Sequence, residues 1–221
     1  MMCAVGRAVM VSETDETRRG VMDNARLKSP AAARNRQPIL DVLQDVLPEK
    51  ATILEVASGT GEHGVYCAGA MPGWEWQPSD PNPHARRSIE AWREHAGLPN
   101  LLPPMSLDVT TVCPAGPFDA IAAINLIHIS PWEVTEALMA CAGRRLTEGG
   151  VLYLYGPYRR AGRHTSPSNE AFDADLKARD PRWGVRELES VTEEAERHGL
   201  VLERVVEMPA NNLSVVLRRS Q

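Results

Sequence analysis

ATILEVASGTGEHG, residues 51–64, is the stretch on which the reading of this chain turns. An apolar run (Ile53, Leu54, Val56) carries a single acid, Glu55, and breaks into Ala57-Ser58-Gly59-Thr60-Gly61. Strand, glycine turn, then helix is how an α/β sheet brings backbone close to a nucleoside-bearing ligand. A β-carbon at the glycines is expected to hold such a ligand away.

Working outward, Ser29-Pro30 reads as a helix N-cap followed by proline at the first helical position. Ile39, Leu40, Leu43 and Leu47 then follow helical spacing up to Pro48. Beyond the glycine turn, strands and helices alternate. Helix is expected over 62–70, strand over 74–78 ending at Ser79-Asp80, and helix near 84–95. A short strand is expected over 101–107, closing with Asp108. Phe118–Ile124 reads as a strand buried on both faces. A helix over 132–146 is terminated by Gly149-Gly150, and a strand follows over 151–155. Residues 156–181 read as an inserted loop with one short helix. A helix over 191–198 and a hairpin (strands 200–206 and 213–218 around Pro209-Ala210-Asn211-Asn212) close the chain. The order implies a doubly wound, seven-stranded, mostly parallel α/β sheet with a C-terminal antiparallel hairpin. Residues 1–21 read as a poorly ordered extension, with Met22 an alternative start. Residues 22–221 read as one domain, its insert or lid near 156–184.

A chain of 221 residues suits one domain. A net charge of −5, three lysines and dispersed arginines give no nucleic-acid footprint. The four cysteines, Cys3, Cys67, Cys113 and Cys141, form no CxxC pair and read as reduced thiols. No apolar run approaches the roughly 20 residues that cross a bilayer, and no signal peptide is evident. A cytoplasmic protein is expected. The histidines show no metal-ligand spacing, and no metal is expected.

Gly59-Thr60-Gly61-Glu62-His63-Gly64 formally satisfies G-x-G-x-x-G, so a dinucleotide must be weighed. Three features oppose it. Glu62 would stand at the helix start, where a pyrophosphate needs positive potential. No Tyr-x-x-x-Lys pair occurs, and there is little room for a separate catalytic domain. S-adenosylmethionine fits better, because it carries no phosphate and its ammonium and sulfonium are cationic. Glu55 is expected to hold the ammonium, with Ala57, Gly59 and Gly61 forming the backbone cradle. Asp80 is expected to accept the ribose hydroxyls, Asp108-Val109 to meet the adenine, and Asn125 to face the methionine portion.

On these residues the chain resembles the class I S-adenosylmethionine-dependent methyltransferases. More narrowly, it resembles the DUF938/UPF0585 family, which includes the methyltransferase-like 26 proteins. The resemblance is carried by Ser29-Pro30-Ala31-Ala32 with Arg34-Asn35, by Leu54 through His63, and by Trp76-Gln77-Pro78-Ser79-Asp80. It continues through Asn125-Leu126-Ile127-His128-Ile129-Ser130-Pro131-Trp132 and Leu154-Tyr155-Gly156-Pro157-Tyr158. The last blocks are Ser168 to Asp173 and Asp180-Pro181-Arg182-Trp183-Gly184. It spans nearly everything from Met22 to Arg218 and implies a Rossmann-like methyltransferase sheet and the cofactor, but no particular substrate. The first glycine of the general methyltransferase loop is Ala57 here.

Methyl transfer needs alignment, exclusion of water, and a base only where the nucleophile carries a proton. His128, three residues past Asn125 at the end of the fourth strand, is the first candidate base, and Tyr158 a second proton-handling group. A histidine that orients backbone is the competing reading of His128. Arg34 and Asn35 are expected to close over the cofactor carboxylate, with Arg34 also on the substrate side; an ordinary surface salt bridge is the competing reading of Arg34. Trp132, Asn169, Phe172 and Trp183 are expected to build the acceptor pocket or its lid. The Asn125-Leu126-Ile127-His128 run lacks the Asn/Asp-Pro-Pro-Tyr pattern that grips planar amino groups, which argues against nucleobase methylation. The acceptor is therefore expected to be a small molecule presenting O, S or N. The alternative is a cofactor-binding regulatory protein without turnover. The oligomeric state is not legible.

Overall fold

The computed structural model describes residues 25–220. The expected extension 1–21 therefore lies outside the described residues. Helix α1 (Pro30–Val46) starts where Ser29 Oγ accepts from Ala32 N–H, and it buries Ala32, Asn35, Ile39, Leu40, Val42 and Leu43. Then come β1 (Ala51–Glu55), α2 (Glu62–Ala70), β2 (Trp74–Pro78), α3 (Pro83–Ala96) and β3 (Phe118–Ile124). The second half holds α4 (Trp132–Arg145), β4 (Leu146–Gly156), β5 (Tyr158–Arg160), β6 (Arg163–His164), α5 (Pro167–Arg179) and β7 (Arg186–Glu187). Helix α6 (Leu188–Glu196) and the hairpin β8 (Leu200–Met208) and β9 (Asn212–Arg219) complete the chain.

Six strands form the main sheet in the order β2-β1-β3-β4-β9-β8. The β2-β1-β3-β4 neighbours pair parallel, and β9 and β8 pair antiparallel. Alternation along each strand divides the apolar side chains between two cores, one per face. Leu54, Ile121, Ala123, Leu152, Leu154, Val215 and Leu217 join α4 and α6. Ile53, Ala120, Ala122, Val151, Tyr153, Tyr155 and Val216 join α1, α2 and the indoles of Trp74 and Trp76. The chain moves from β1 to β2 on one side, while β3 pairs on the other. The carboxyl ends of β1 and β3 therefore flank the crevice where open α/β sheets bind ligands.

Four expectations need correction. The strand over 101–107 is reduced to two isolated parallel bridges, Trp76 with Leu101 and Ser79 with Met105, so the main sheet has six strands and not the expected seven. Pro103 and Pro104 fall between them and have no N–H to donate, so a continuous ladder is blocked. Gly149-Gly150 does not end a helix. α4 stops at Arg145, and Gly149, at φ 71°, lies within β4 beside a register shift against β3. The 156–181 segment is not a loop with a short helix, since α5 runs for 13 residues and β6-β5-β7 form a small sheet. Finally, Cys113 and Cys141 are joined in a disulfide, while Cys67 is a free buried thiol. Bonding depends on Cα proximity, here 5.5 Å between the loop before β3 and α4, which spacing along the chain does not reveal. Among the described residues no helix is long and apolar enough to cross a membrane.

Candidate functional site

The turn after β1 is held by polar ties on every side. Ser58 N–H donates to Ser79 O at 2.8 Å, and Ser79 Oγ donates to Glu55 O at 2.6 Å. Gly59 N–H donates to Asp80 Oδ2 at 3.0 Å, and Ser88 Oγ donates to Thr60 O at 2.7 Å. Ala57, Gly59 and Gly61 all have positive φ. The two glycines serve different ends. At Gly59 an added β-carbon would face open space, whereas at Gly61 (φ 89°) it would lie 2.9 Å from Ile89 Cα. Gly61 is thus required by the packing of α2's first turn on α3, and not by the approach of a ligand.

Glu62, which opens α2, turns its carboxylate onto the start of α1. Its Oε2 accepts from Ser29 N–H at 2.6 Å and from Thr60 Oγ at 3.1 Å. The start of α1 is thereby joined to the glycine turn. Leu27 N–H donates to Ser88 Oγ and Trp92 Nε1 donates to Leu27 O, so the segment before α1 is tied to α3 as well.

Between these parts lies a cavity of about 340 Å³. Its polar lining includes Asn35 and His63 on one wall, Glu55, and Asn125 at the end of β3. Ala31, Ala32, Ile124, Leu126 and Ile129 supply apolar wall. Glu55 is 1% exposed, and its Oε2 accepts from Trp76 Nε1 at 3.1 Å. Burial drives its pKa up to about 7; the indole and Ser58 oppose the rise, and the Asp80 charge adds to it. His63 Nε2 lies 2.8 Å from Asn35 Oδ1, and burial, with the Arg36 charge, lowers its pKa to about 4. The ring is therefore neutral at physiological pH.

Asn35, Glu55, Ala57, Gly59 and Asn125, all named from the sequence, meet around this one cavity. Asp80 stands a single hydrogen bond behind it, its other oxygen accepting from Asn82 N–H at 2.8 Å. Asp108 and Val109 are not part of the lining. Asp108 Oδ1 accepts from Thr110 N–H and Oγ at an exposed turn, and Val109 packs in the core. Arg34 is exposed on α1 and is not part of the lining.

The two residues expected to handle protons are not brought to the cavity. His128 and Tyr158 are fully buried and pack edge to face, with ring centroids 4.8 Å apart. His128 Nδ1 accepts from Arg186 N–H at 3.3 Å, which places the ring proton on Nε2. Burial, reinforced by the Arg186 charge, lowers its pKa to about 3. Burial raises the Tyr158 phenol above its usual range. The His128 ring also presses on Gly156, where a β-carbon would fall 2.5 Å from it.

Of the acceptor-side residues, Asn169 is occupied in bridging, its amide donating to Thr165 Oγ and Asn211 O at 2.8 Å each. Trp132 and Trp183 line a different hollow of about 520 Å³, which shares no residue with the first. The reading from sequence missed Ser58, Thr60, His63 and Ile129 as lining. For His63 a signal was present, since it lies inside the glycine motif, but it was weighed only as a metal ligand. Among the described residues no group of three or more His, Cys, Asp or Glu is placed to hold a metal ion.

A doubly wound sheet with a C-terminal antiparallel hairpin, a glycine turn after its first strand, and a crevice at the ends of β1 and β3 is the Rossmann-like fold of class I methyltransferases. The structure is similar to an O-methyltransferase family protein from Burkholderia thailandensis, with TM-score 0.74 and 16% identity, over 94% of this chain and 61% of that one. It is similar to human N-acetylserotonin methyltransferase in complex with S-adenosylmethionine, with TM-score 0.73 and 12% identity, over 95% and 57%. It also matches an O-methyltransferase family 2 protein from Planctomyces limnophilus in complex with apigenin, with TM-score 0.72 and 20% identity, over 89% and 62%. The chain spans about three fifths of the length of these proteins. Residues 26–219 match the family model described as "Protein of unknown function (DUF938)", and the chain belongs to that family.

Proposed function

We propose that this protein is an S-adenosylmethionine-dependent methyltransferase that methylates an O, S or N nucleophile of a small molecule, with its cofactor in the 340 Å³ cavity. The observation that carries the reading is Glu55. A carboxylate that is 1% exposed, lines a cavity and has no basic side chain paired with it is suited to a cationic ligand. A pyrophosphate would meet Glu55 there, with no cationic group in the lining to offset it. The donor set fits the cofactor in other respects too. Glu55 would hold the ammonium, the Ala57–Thr60 backbone and the Asn125 amide would hold the amino-acid portion, and Asp80 would steady the turn from behind through Gly59 N–H. The apolar wall of Leu126 and Ile129 would exclude water. When bound, the cofactor supplies an electrophilic methyl group on sulfur.

The chain's own contribution is then positioning. Asn35 and His63 keep a neutral polar wall, and Glu62 holds α1 against the glycine turn. His128 acts as a positioning residue for the loop after β3, because its ring abuts Gly156 and its carbonyl accepts from Gly184 N–H at 3.0 Å. One observation favours a second reading, a cofactor-binding protein without turnover: neither His128 nor Tyr158 reaches the cavity.

Calorimetric titration with S-adenosylmethionine, S-adenosylhomocysteine and NAD tests the assignment. Binding of the first two, weakened in Glu55→Gln and Asp80→Ala, is the expected result. Binding of NAD alone would overturn it. Cofactor binding without transfer to a broad panel of small nucleophiles would favour the second reading.

A further inference from the structure

The 520 Å³ hollow lies on the far side of the loop after β3 and plays no part in the cofactor assignment. Its lining carries two half-buried indoles, Trp132 and Trp183, and several cations. Four of those cations already face carboxylates. Arg159 lies 3.7 Å from Glu187, Lys177 2.6 Å from Asp173, Arg182 2.7 Å from Asp180, and Arg197 2.7 Å from Glu194.

Arg186 is different. Its Nε donates to Ile127 O at 2.9 Å, and its Nη2 donates to Ser130 O at 2.6 Å and Arg182 O at 2.9 Å. The carbonyls fix the guanidinium in place without neutralising it, and no carboxylate among the described residues is in ion-pair contact with it, the charges of Asp173 and Glu133 acting from farther away. Nη1 has no hydrogen-bond partner there. The guanidinium also lies 5.7 Å from the centre of the Trp132 ring. A fixed guanidinium with Nη1 uncommitted, in a hollow walled by indoles, is suited to a carboxylate on an apolar body.

We propose that this hollow is a binding site for a small planar carboxylic acid, whose carboxylate pairs with Arg186 Nη1 while its apolar body lies against Trp132 and Trp183. The volume is within the range of small-molecule sites, roughly 300–1,000 Å³. Glu187 and Glu193 also line the hollow and select against ligands of higher negative charge. The same guanidinium clamps Ile127 and Ser130, whose loop supplies Asn125, Leu126 and Ile129 to the first cavity. The two sites therefore share one mechanical element. Binding at this site does not require the cofactor reading to hold.

The test is a titration of the full chain, without cofactor, against sodium benzoate, benzyl alcohol and inorganic phosphate, followed by tryptophan fluorescence and by ligand-observed NMR. Saturable binding of benzoate at least about tenfold tighter than of the uncharged alcohol is expected, because the anion adds charge-assisted hydrogen bonds. Arg186→Gln should abolish it. Because that variant also removes the carbonyl clamp, Trp183→Leu provides a second check. It should weaken benzoate binding several-fold with an unchanged circular dichroism spectrum. Absence of saturable benzoate binding would overturn the proposal. So would equal binding of the alcohol, phosphate binding as tightly as benzoate, or undiminished binding in folded Arg186→Gln.

Discussion

If Glu55 receives a cationic ligand, binding must become proton-linked, and the size of the linkage follows from the site. With its pKa near 7 in the unliganded protein, Glu55 is about half protonated at neutral pH. A bound cation stabilises the ionised form and pulls that pKa down, so association expels a proton. The ionised fraction rises from about one eleventh at pH 6 to about three quarters at pH 7.5, and affinity for a cation should tighten about eightfold over that interval. The interval stops at pH 7.5 because an α-amino group on the ligand itself begins to lose its proton near ~8. His63 and His128, with pKa values pushed down to about 4 and 3, are neutral throughout and do not contribute. The assay is calorimetric titration with S-adenosylhomocysteine, whose ammonium retains the charge, at pH 6, 6.75 and 7.5. At pH 7, two buffers of different ionisation enthalpy should report release of about half a proton. Glu55→Gln should bind more weakly and with a flat profile. An affinity that does not change between pH 6 and 7.5, or a wild-type slope retained in Glu55→Gln, would refute the reasoning.

Three further outcomes are expected. The histidines His63 and His128 have folded pKa values below their unfolded value, so the folded state binds fewer protons as pH falls through 6.5 toward 4. Their stabilising contribution is complete above about 6.5 and is lost on acidification, partly offset below pH 7 by Glu55, whose raised pKa works in the opposite sense. Urea melts should therefore show a net loss on the order of 1 kcal/mol per pH unit between pH 6 and 5, and His63→Gln should reduce that slope. Gly61→Ala combines a left-handed residue with a β-carbon 2.9 Å from Ile89 Cα, and thermal melts should show a loss of about 2–3 kcal/mol. Glu62→Ala removes the acceptor of Ser29 N–H. Hydrogen exchange over residues 29–33 should accelerate, with about 1–3 kcal/mol lost locally, while the core strands keep their protection.

Much of the site was legible because the residues that build it stand at strand ends, where a near-continuous apolar run stops and a turn begins. Glu55, Gly59 and Asn125 could be placed that way, and the parallel sheet makes them neighbours. Asp80 was found by the same logic, although it acts from behind Gly59 and does not line the cavity. Glu62 was used to argue against a pyrophosphate, and the structure supplies a different reason for its presence, since it caps the start of α1. His128 was placed correctly along the chain but not in depth. Its burial depends on Gly156 from β4 and Arg186 from β7, two segments remote in sequence.

The sequence by itself determined the alternation of strands and helices, the glycine turn and its acid, and the C-terminal hairpin, because these depend on local periodicity and turn chemistry. Tertiary structure alone decided which side chains face a cavity, which thiols meet, and how far Glu55, His63 and His128 depart from ordinary titration. Those properties depend on desolvation and on distances between segments far apart in the chain. The 101–107 segment lies between the two cases: its apolar residues and prolines could both be read, but only its place at the edge beside β2 showed that the prolines prevail.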